Sequence, residues 1–163
     1  MSNFSQEPSL FHQKVCPNLC RGERLFIGSL RRWMRGSEDW DRAVREAVTV
    51  LKPAAGLVFA NALGSLAQVI DDHARRTLRM RIPSSKLVST DERSLIALIG
   101  ALQHDRFDHA HAILQYLVVP AARRAAISHA LSVSRALQKG GFNFLMPRGA
   151  RPARAEPRLR SVA

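Results

Sequence analysis

Cysteine, lysine and tyrosine are scarce in this chain. Two cysteines are too few for a disulfide framework, and residues 1–20 lack the long apolar core of a secretory signal. Both absences favour a reducing, cytoplasmic location. Arginine supplies almost all of the positive charge behind the formal net charge of +12, since the only lysines are Lys14, Lys52, Lys86 and Lys139.

Motifs of common catalytic sites are also missing. The sequence contains no glycine-rich phosphate loop, no nucleophile elbow and no spaced acid pair in a recognisable context. We therefore expect a protein that is not an enzyme and that uses no cofactor.

No window alternates apolar and polar residues as a strand would, whereas apolar residues recur at helical spacing along most of the chain. This pattern predicts an all-α fold, a compact bundle of about six helices. The first helix is expected over about 22–35 and the third from Pro53 to about Met80. For the last helix, the pattern places Ile127, Ala130, Leu131 and Leu137 on the buried stripe.

Proline, glycine and charge divide the chain into three parts. Residues 1–20 are expected to form a flexible arm, residues 21–146 a single helical domain, and residues 147–163 a disordered tail rich in Arg, Pro and Ala. Within the domain, loop 82–88 joins helical groups 22–81 and 89–141. Ser89 followed by Glu92 is the signature of a capping box at the start of a helix.

Residues 53–70 carry no charged side chain. A membrane span would need about 20 apolar residues, and Asn61, Ser65 and Gln68 dilute this stretch, so we expect no transmembrane span. A central, mostly buried helix is the favoured interpretation. Its small residues at four-residue spacing are Gly56, Ala60 and Gly64. They would form a smooth face that packs either within the monomer or against a second copy.

Clustered arginines favour an anionic partner, most plausibly nucleic acid, because guanidinium groups bind phosphate without needing a sequence motif. The competing interpretation is that they form solvated faces. Arg24, Arg31 and Arg35 share the side of the first helix opposite its apolar stripe. The other candidates are Arg75, Arg76 and Arg79, then Arg123 and Arg124, and in the tail Arg151 and Arg154.

A protein-interaction module, acting as a dimer or adaptor without binding nucleic acid, is the alternative function. Two helices separated by a tight polar turn carry apolar residues at Leu98, Ala101, Phe107, Ala110, Leu114 and Leu117. This pattern resembles one tetratricopeptide-type helical hairpin. The resemblance covers about 30 residues, and Asp105 stands where that family usually has a turn glycine. It implies a helical surface for contacts with other proteins.

Two further sites are weaker candidates. His12, Cys16 and Cys20 recur every four residues, which would align three zinc ligands along a helix, but Pro17 interrupts it and no fourth ligand is evident. We therefore expect no metal. Membrane-surface contact through residues 22–35 is the least favoured of the partner hypotheses.

Overall fold

The structure, a computed structural model, describes residues 4–6 and 19–145. Within these ranges the predicted all-α bundle of about six helices is confirmed. The helices are α1 (Arg21–Trp33), α2 (Ser37–Leu51), α3 (Pro53–His73), α4 (Thr90–Gln103), α5 (Phe107–Leu117) and α6 (Arg123–Lys139), and a 3-10 turn (Pro120–Ala122) precedes α6. The expected tail, residues 147–163, and most of the expected arm, residues 1–20, lie outside the described residues.

Helix α3 occupies the centre of the bundle. Proline suits its first position because the first turn of a helix leaves that amide without an internal acceptor. Phe59, Leu63 and Ile70 are fully buried, and α3 packs mainly against α2 and α6. Of the described helices, α3 alone is long and apolar enough to span a bilayer, and 44% of its most apolar window is buried inside the fold.

Two capping boxes begin helices on either side of α3. The Ser89 hydroxyl accepts a hydrogen bond from the Glu92 amide at 3.1 Å, and the Glu92 carboxylate accepts one from the Ser89 amide at 2.8 Å, as the sequence predicts. At α1, Glu23 accepts from the Cys20 amide at 2.8 Å. These bonds satisfy amides that the first turn would leave unpaired.

Two short strands, β1 (Phe4–Gln6) and β2 (Leu78–Met80), pair in parallel and place Phe4 opposite Leu78. The Phe4 ring also packs edge-on against Trp33 of α1, with ring centroids 6.0 Å apart. The sequence contained no signal for this pairing, because three residues are too few to establish an alternating pattern.

The expectation that α3 continues to about Met80 is therefore wrong. The helix ends at His73, and Ala74 adopts an extended conformation. In β2, Leu78 and Met80 are buried while Arg79 between them is exposed, which is the two-residue alternation of a strand. Arginines at positions 75, 76 and 79 have helical spacing, which concealed this short alternation.

The buried stripe of α6 also differs from the predicted one. Val133, which is not part of the predicted stripe, is fully buried, whereas Ile127 and Leu131 are only half-buried. The reason is that α6 packs against α3, α4 and α5 together, so its buried surface is wider and rotated relative to a single stripe.

The last described residues close over the core beside α1 and α4. Gln103 donates to the Phe142 carbonyl at 3.0 Å and accepts from the Phe144 amide at 2.6 Å. The buried Phe144 ring then meets Phe26 edge-on at 6.2 Å. Gln103 thus helps to fix the path of the chain after α6, together with His104, whose Nε2 lies 3.0 Å from the Phe144 carbonyl oxygen.

Candidate nucleic-acid interface

The carboxyl ends of α3 and α5 are joined by backbone hydrogen bonds. Ala74 forms a β-bridge with Val118, and the Arg75 amide donates to the Leu117 carbonyl at 3.0 Å. The Val119 amide donates in turn to the His73 carbonyl at 3.0 Å. This junction holds Arg75 and Arg76, which follow the end of α3, beside the last turn of α5.

Four residues at this junction line a shallow open depression, which we call the Arg–Tyr cluster: Arg75, Arg76, Gln115 and Tyr116. The Arg76 guanidinium lies over the Tyr116 ring, 4.8 Å from its centroid, and donates to the Tyr116 hydroxyl at 2.9 Å. Arg75 donates to the Gln115 carbonyl at 3.2 Å, which places positive charge at the carboxyl end of α5, where the helix dipole favours it.

Asp91 fixes the orientation of the Arg76 guanidinium. Both carboxylate oxygens accept from the guanidinium, at 2.5 and 2.9 Å, and one also accepts from the Arg79 amide at 2.8 Å. The hydrogen bonds of the guanidinium with Asp91, together with the one to Tyr116, raise the pKa of Arg76 further above its ordinary value. Burial alone would raise the pKa of Asp91, but the hydrogen bonds from Arg76 and Arg79 outweigh burial and hold it below the ordinary value.

Tyr116 is the functional candidate that sequence reasoning missed. Its side chain is 57% exposed, in a protein with a single tyrosine. The available signal was its position, since Tyr116 lies off the stripe formed by Ile113, Leu114 and Leu117 and therefore points away from the core. An aromatic ring beside surface arginines is typical of sites that stack nucleobases.

The expected cationic face of α1 does not exist as predicted. Arg24 and Arg35 are exposed, but Arg31 is only 4% exposed and forms a buried ion pair with Glu92. The cause is that α1 is covered on nearly all sides, including by the loop before α4, whose carbonyls at Ser85 and Leu87 also accept from Arg31. Arg35 pairs with Asp39, in the first turn of α2, at 2.6 Å.

Arg24 instead borders a cleft of about 460 Å³ between α1 and the loop before α4. Lys86 lies on the other side of this cleft, and a Cβ added at Gly28 would meet no atom within 4 Å, so the floor is open there. Arg32, also in the lining, is paired with Glu46, and Arg31 with Glu92. Of the four cations that line the cleft within the described residues, two are therefore already matched by acidic groups.

Three of the remaining predicted arginines lie in the described part of the chain, on β2 and at the start of α6. Arg79 is exposed on β2, and Arg124 is exposed at the start of α6, which follows Val119 by one 3-10 turn. The Arg123 Nε is buried and has no hydrogen-bond partner among the described residues. Arg151 and Arg154 lie outside the described residues.

The face of small residues on α3 is covered by α2 of the same chain. A Cβ at Gly56 would lie 2.4 Å from the Val48 Cα, so only glycine permits this approach. Ala60 is buried, and Gly64 faces Trp40, whose nearest ring atom would lie 3.4 Å from a Cβ added at that glycine. The structure therefore places this face inside the monomer.

The hairpin of α4 and α5 turns five of its six predicted residues inward, whereas Phe107 at the start of α5 is 41% exposed. Leu98, Ala101 and Ala110 are buried, as are Leu114 and Leu117. Asp105, at the turn, has a φ of 55°, the left-handed conformation that glycine adopts most readily. The departure from the tetratricopeptide pattern is thus one of residue type and not of backbone conformation.

Cys20 of the weak zinc candidate serves as the N-cap residue of α1, and burial raises the pKa of its thiol. His12 and Cys16 lie outside the described residues. Across residues 4–6 and 19–145, no three His, Cys, Asp or Glu side chains come together as a metal site would require.

Comparisons of this chain with protein-family models, with curated proteins and with solved structures give no match in any of the three.

Proposed function

We propose that this protein is a small non-enzymatic accessory or regulatory protein that binds single-stranded nucleic acid at the Arg–Tyr cluster. The observation that carries the proposal is the exposed Tyr116 ring, held by Arg76 and flanked by Arg75. A flat aromatic surface beside guanidinium groups offers stacking to an unpaired base and ion pairing to the phosphates on either side.

The residues of this interface have separate roles in the proposal. Tyr116 stacks on a base, and Arg75, Arg79 and Arg124 contact phosphates. Arg76 is a positioning residue, because its guanidinium is engaged by Asp91 and by the Tyr116 hydroxyl. Arg31 has no part, since it is buried in its ion pair with Glu92.

Single strands are favoured over duplexes because the cluster is a shallow depression at the end of the bundle. Tyr116 is the last exposed ring of α5, and stacking on it requires a base that is already free of its neighbours. Reading a duplex groove would instead need a helix whose exposed side enters the groove. The exposed side of α5 ends at this tyrosine.

The test is fluorescence anisotropy with labelled oligouridylate and oligothymidylate of about 20 nucleotides at about 50 mM salt, using the full chain. Tyr116→Ala should weaken binding by about 1–3 kcal/mol for a stacked base, and Tyr116→Phe should retain most of the affinity. Arg75→Gln and Arg124→Gln should each reduce the salt dependence by about 0.7 in the slope of log K against log salt.

Arg42→Gln is the matched control, because Arg42 is an exposed arginine of α2 that pairs with Glu38 outside the cluster. This variant removes one positive charge, as Arg75→Gln does, and should leave the binding free energy that Tyr116 contributes unchanged. The proposal is wrong if the wild-type protein does not bind either oligonucleotide at low salt, or if Tyr116→Ala has no larger effect than Arg42→Gln.

A further inference from the structure

A groove lies between the first turns of α3 and the last turns of α6, at the end of α3 away from the Arg–Tyr cluster. Its volume is about 390 Å³. Leu51 and Ala136 form a buried floor, and Val58, 52% exposed, forms part of one wall. The neighbouring Leu57 is 51% exposed. An aliphatic surface is therefore open to solvent here, within a fold that buries most of its large apolar side chains.

Three cations surround this groove. Lys52 lies on the side of α3, and Arg135 and Lys139 lie one helical turn apart on α6, all exposed. Among the residues that the structure describes, the lining contains no acidic side chain and consists of Leu51, Lys52, Ala54, Ala55, Val58, Ser132, Arg135, Ala136 and Lys139. The groove thus combines an apolar floor with a rim of one charge.

Lys52 has a backbone conformation that is unusual for its residue type. It joins α2 to α3 with φ of 70° and ψ of 155°, a region occupied almost only by glycine. Glycine would relieve this strain but would remove the positive charge from the rim. Backbone strain of this kind occurs preferentially at functional positions, which makes Lys52 a candidate for a functional contact.

We propose that the groove docks an acidic amphipathic helix of a partner protein. Apolar side chains on one face of that helix enter between α3 and α6, and carboxylates on its flanks meet Lys52 on one side and Arg135 with Lys139 on the other. The lining spans about two helical turns on each wall, which matches apolar residues at i, i+3, i+4 and i+7 of the docked helix.

Other occupants fit the groove less well. A bilayer surface does not fill a concave site, and the exposed side of α3 becomes polar at Asn61, Ser65 and Gln68, which limits the apolar area. A second copy would bring a rim of the same charge. The chain's own residues 147–163 contain five arginines and one acidic residue, so they too carry the same sign as the rim.

The probe is a fluorescein-labelled synthetic helix of about 18 residues, with leucines on one face and glutamates on the others. A second peptide with the same leucines and lysines in place of the glutamates serves as its charge-reversed partner. Anisotropy with the full-length protein should show saturable binding of the glutamate peptide at concentrations below about 100 µM and much weaker binding of the lysine peptide. A photoreactive group at the central leucine should crosslink to residues 51–58 or 132–139.

Variants at the rim and wall test the assignment. The double variant Arg135→Glu, Lys139→Glu should weaken binding of the glutamate peptide at least about tenfold and should strengthen binding of the lysine peptide. Val58→Ser should weaken both peptides. Lys52→Gly should raise the melting temperature while weakening the glutamate peptide, which separates a binding role from a folding role. Arg124→Glu, at the other end of α6, should leave the affinity within about twofold.

Several results would overturn the inference. These are no binding of the glutamate peptide at about 100 µM, an equal response to Arg124→Glu and to the double variant, or crosslinks outside the groove. Two others would reassign the surface and so also contradict it: phosphatidylglycerol vesicles whose binding is lost in the double variant, or a dimer in sedimentation that Val58→Ser dissociates. Tyr116→Ala should not affect the peptide, which keeps this inference separate from nucleic-acid binding.

Discussion

Arg31 and Glu92 form a two-pronged ion pair inside the protein. The Arg31 Nε donates to one carboxylate oxygen at 2.7 Å and Nη2 donates to the other at 2.9 Å, with both side chains at most 5% exposed. Glu92 also accepts from the Arg81 amide at 2.9 Å. The first helix, the segment after β2 and the start of α4 are therefore fastened together by one carboxylate.

Replacing Glu92 with Gln should destabilise the protein strongly. The buried guanidinium of Arg31 would lose its counter-charge, and breaking such a pair from one side costs about 3–5 kcal/mol. Urea unfolding followed by circular dichroism measures the loss. Arg42→Met, which breaks an exposed pair with Glu38, should cost less than about 1 kcal/mol. Equal losses in the two variants would show that burial of the Arg31 pair has no energetic consequence.

Gly56 and Gly64 should respond in opposite ways to alanine. At Gly56 the new methyl would lie 2.4 Å from the Val48 Cα, so α2 and α3 must separate, at a cost of about 1–3 kcal/mol or more. At Gly64 it would meet Trp40 at an ordinary contact distance of 3.4 Å, and the higher helix propensity of alanine should stabilise by about 0.4–1 kcal/mol. Thermal unfolding of both variants tests this difference. Destabilisation of similar size in the two variants would contradict the inference that only Gly56 lies too close to α2 to accept a Cβ.

Asp91 should make stability depend on pH in the acid range. Because its pKa is lowered in the folded protein, its contribution is complete above the pKa of the unfolded carboxyl, about 3.9, and is lost as pH falls through the lower folded value. Asp91→Asn should therefore be less stable at neutral pH and should lose less stability on acidification. Unfolding free energies across that range give the comparison, with Asp41→Asn on the exposed side of α2 as control. The idea fails if Asp91→Asn and the wild type lose stability in parallel.

Local signals predicted much of the fold. The Ser89 capping box, the proline at the start of α3 and the uncharged central helix depend on neighbouring residues only, and all were recognisable in the sequence. The burial of Arg31 was not, because it depends on Glu92 and on two carbonyls of a loop that are far along the chain. Periodicity shows which residues share a side of a helix, but not which sides the rest of the protein covers.

The candidate interface, too, was predictable from the sequence only in part. Arg75 and Arg76 were identified from charge, but their roles follow from the junction between α3 and α5, which brings Tyr116 and Asp91 to them. A lone tyrosine carries little information until its neighbours are known. The groove beside Val58 was also inaccessible to sequence reasoning, since its walls come from helices at distant positions in the chain.

Replacing Asp105 with glycine should stabilise the protein. Its φ of 55° costs most non-glycine residues about 1 kcal/mol, so Asp105→Gly should raise stability by a similar amount, and Asp105→Ala should lower it. Both variants lose the same carboxylate, so the difference between them isolates the backbone conformation. Denaturant unfolding measures it, and indistinguishable variants would mean that the turn adapts to the side chain.

The pairing of β1 with β2 has a consequence for the order in which the protein assembles. Phe4 and its neighbours leave the ribosome before α1, α2 and α3, and the strand that they pair with is synthesised only after these three helices. Closing so long a loop is entropically costly until the intervening helices have packed. Strand β1 is therefore expected to be one of the last elements to join the native structure.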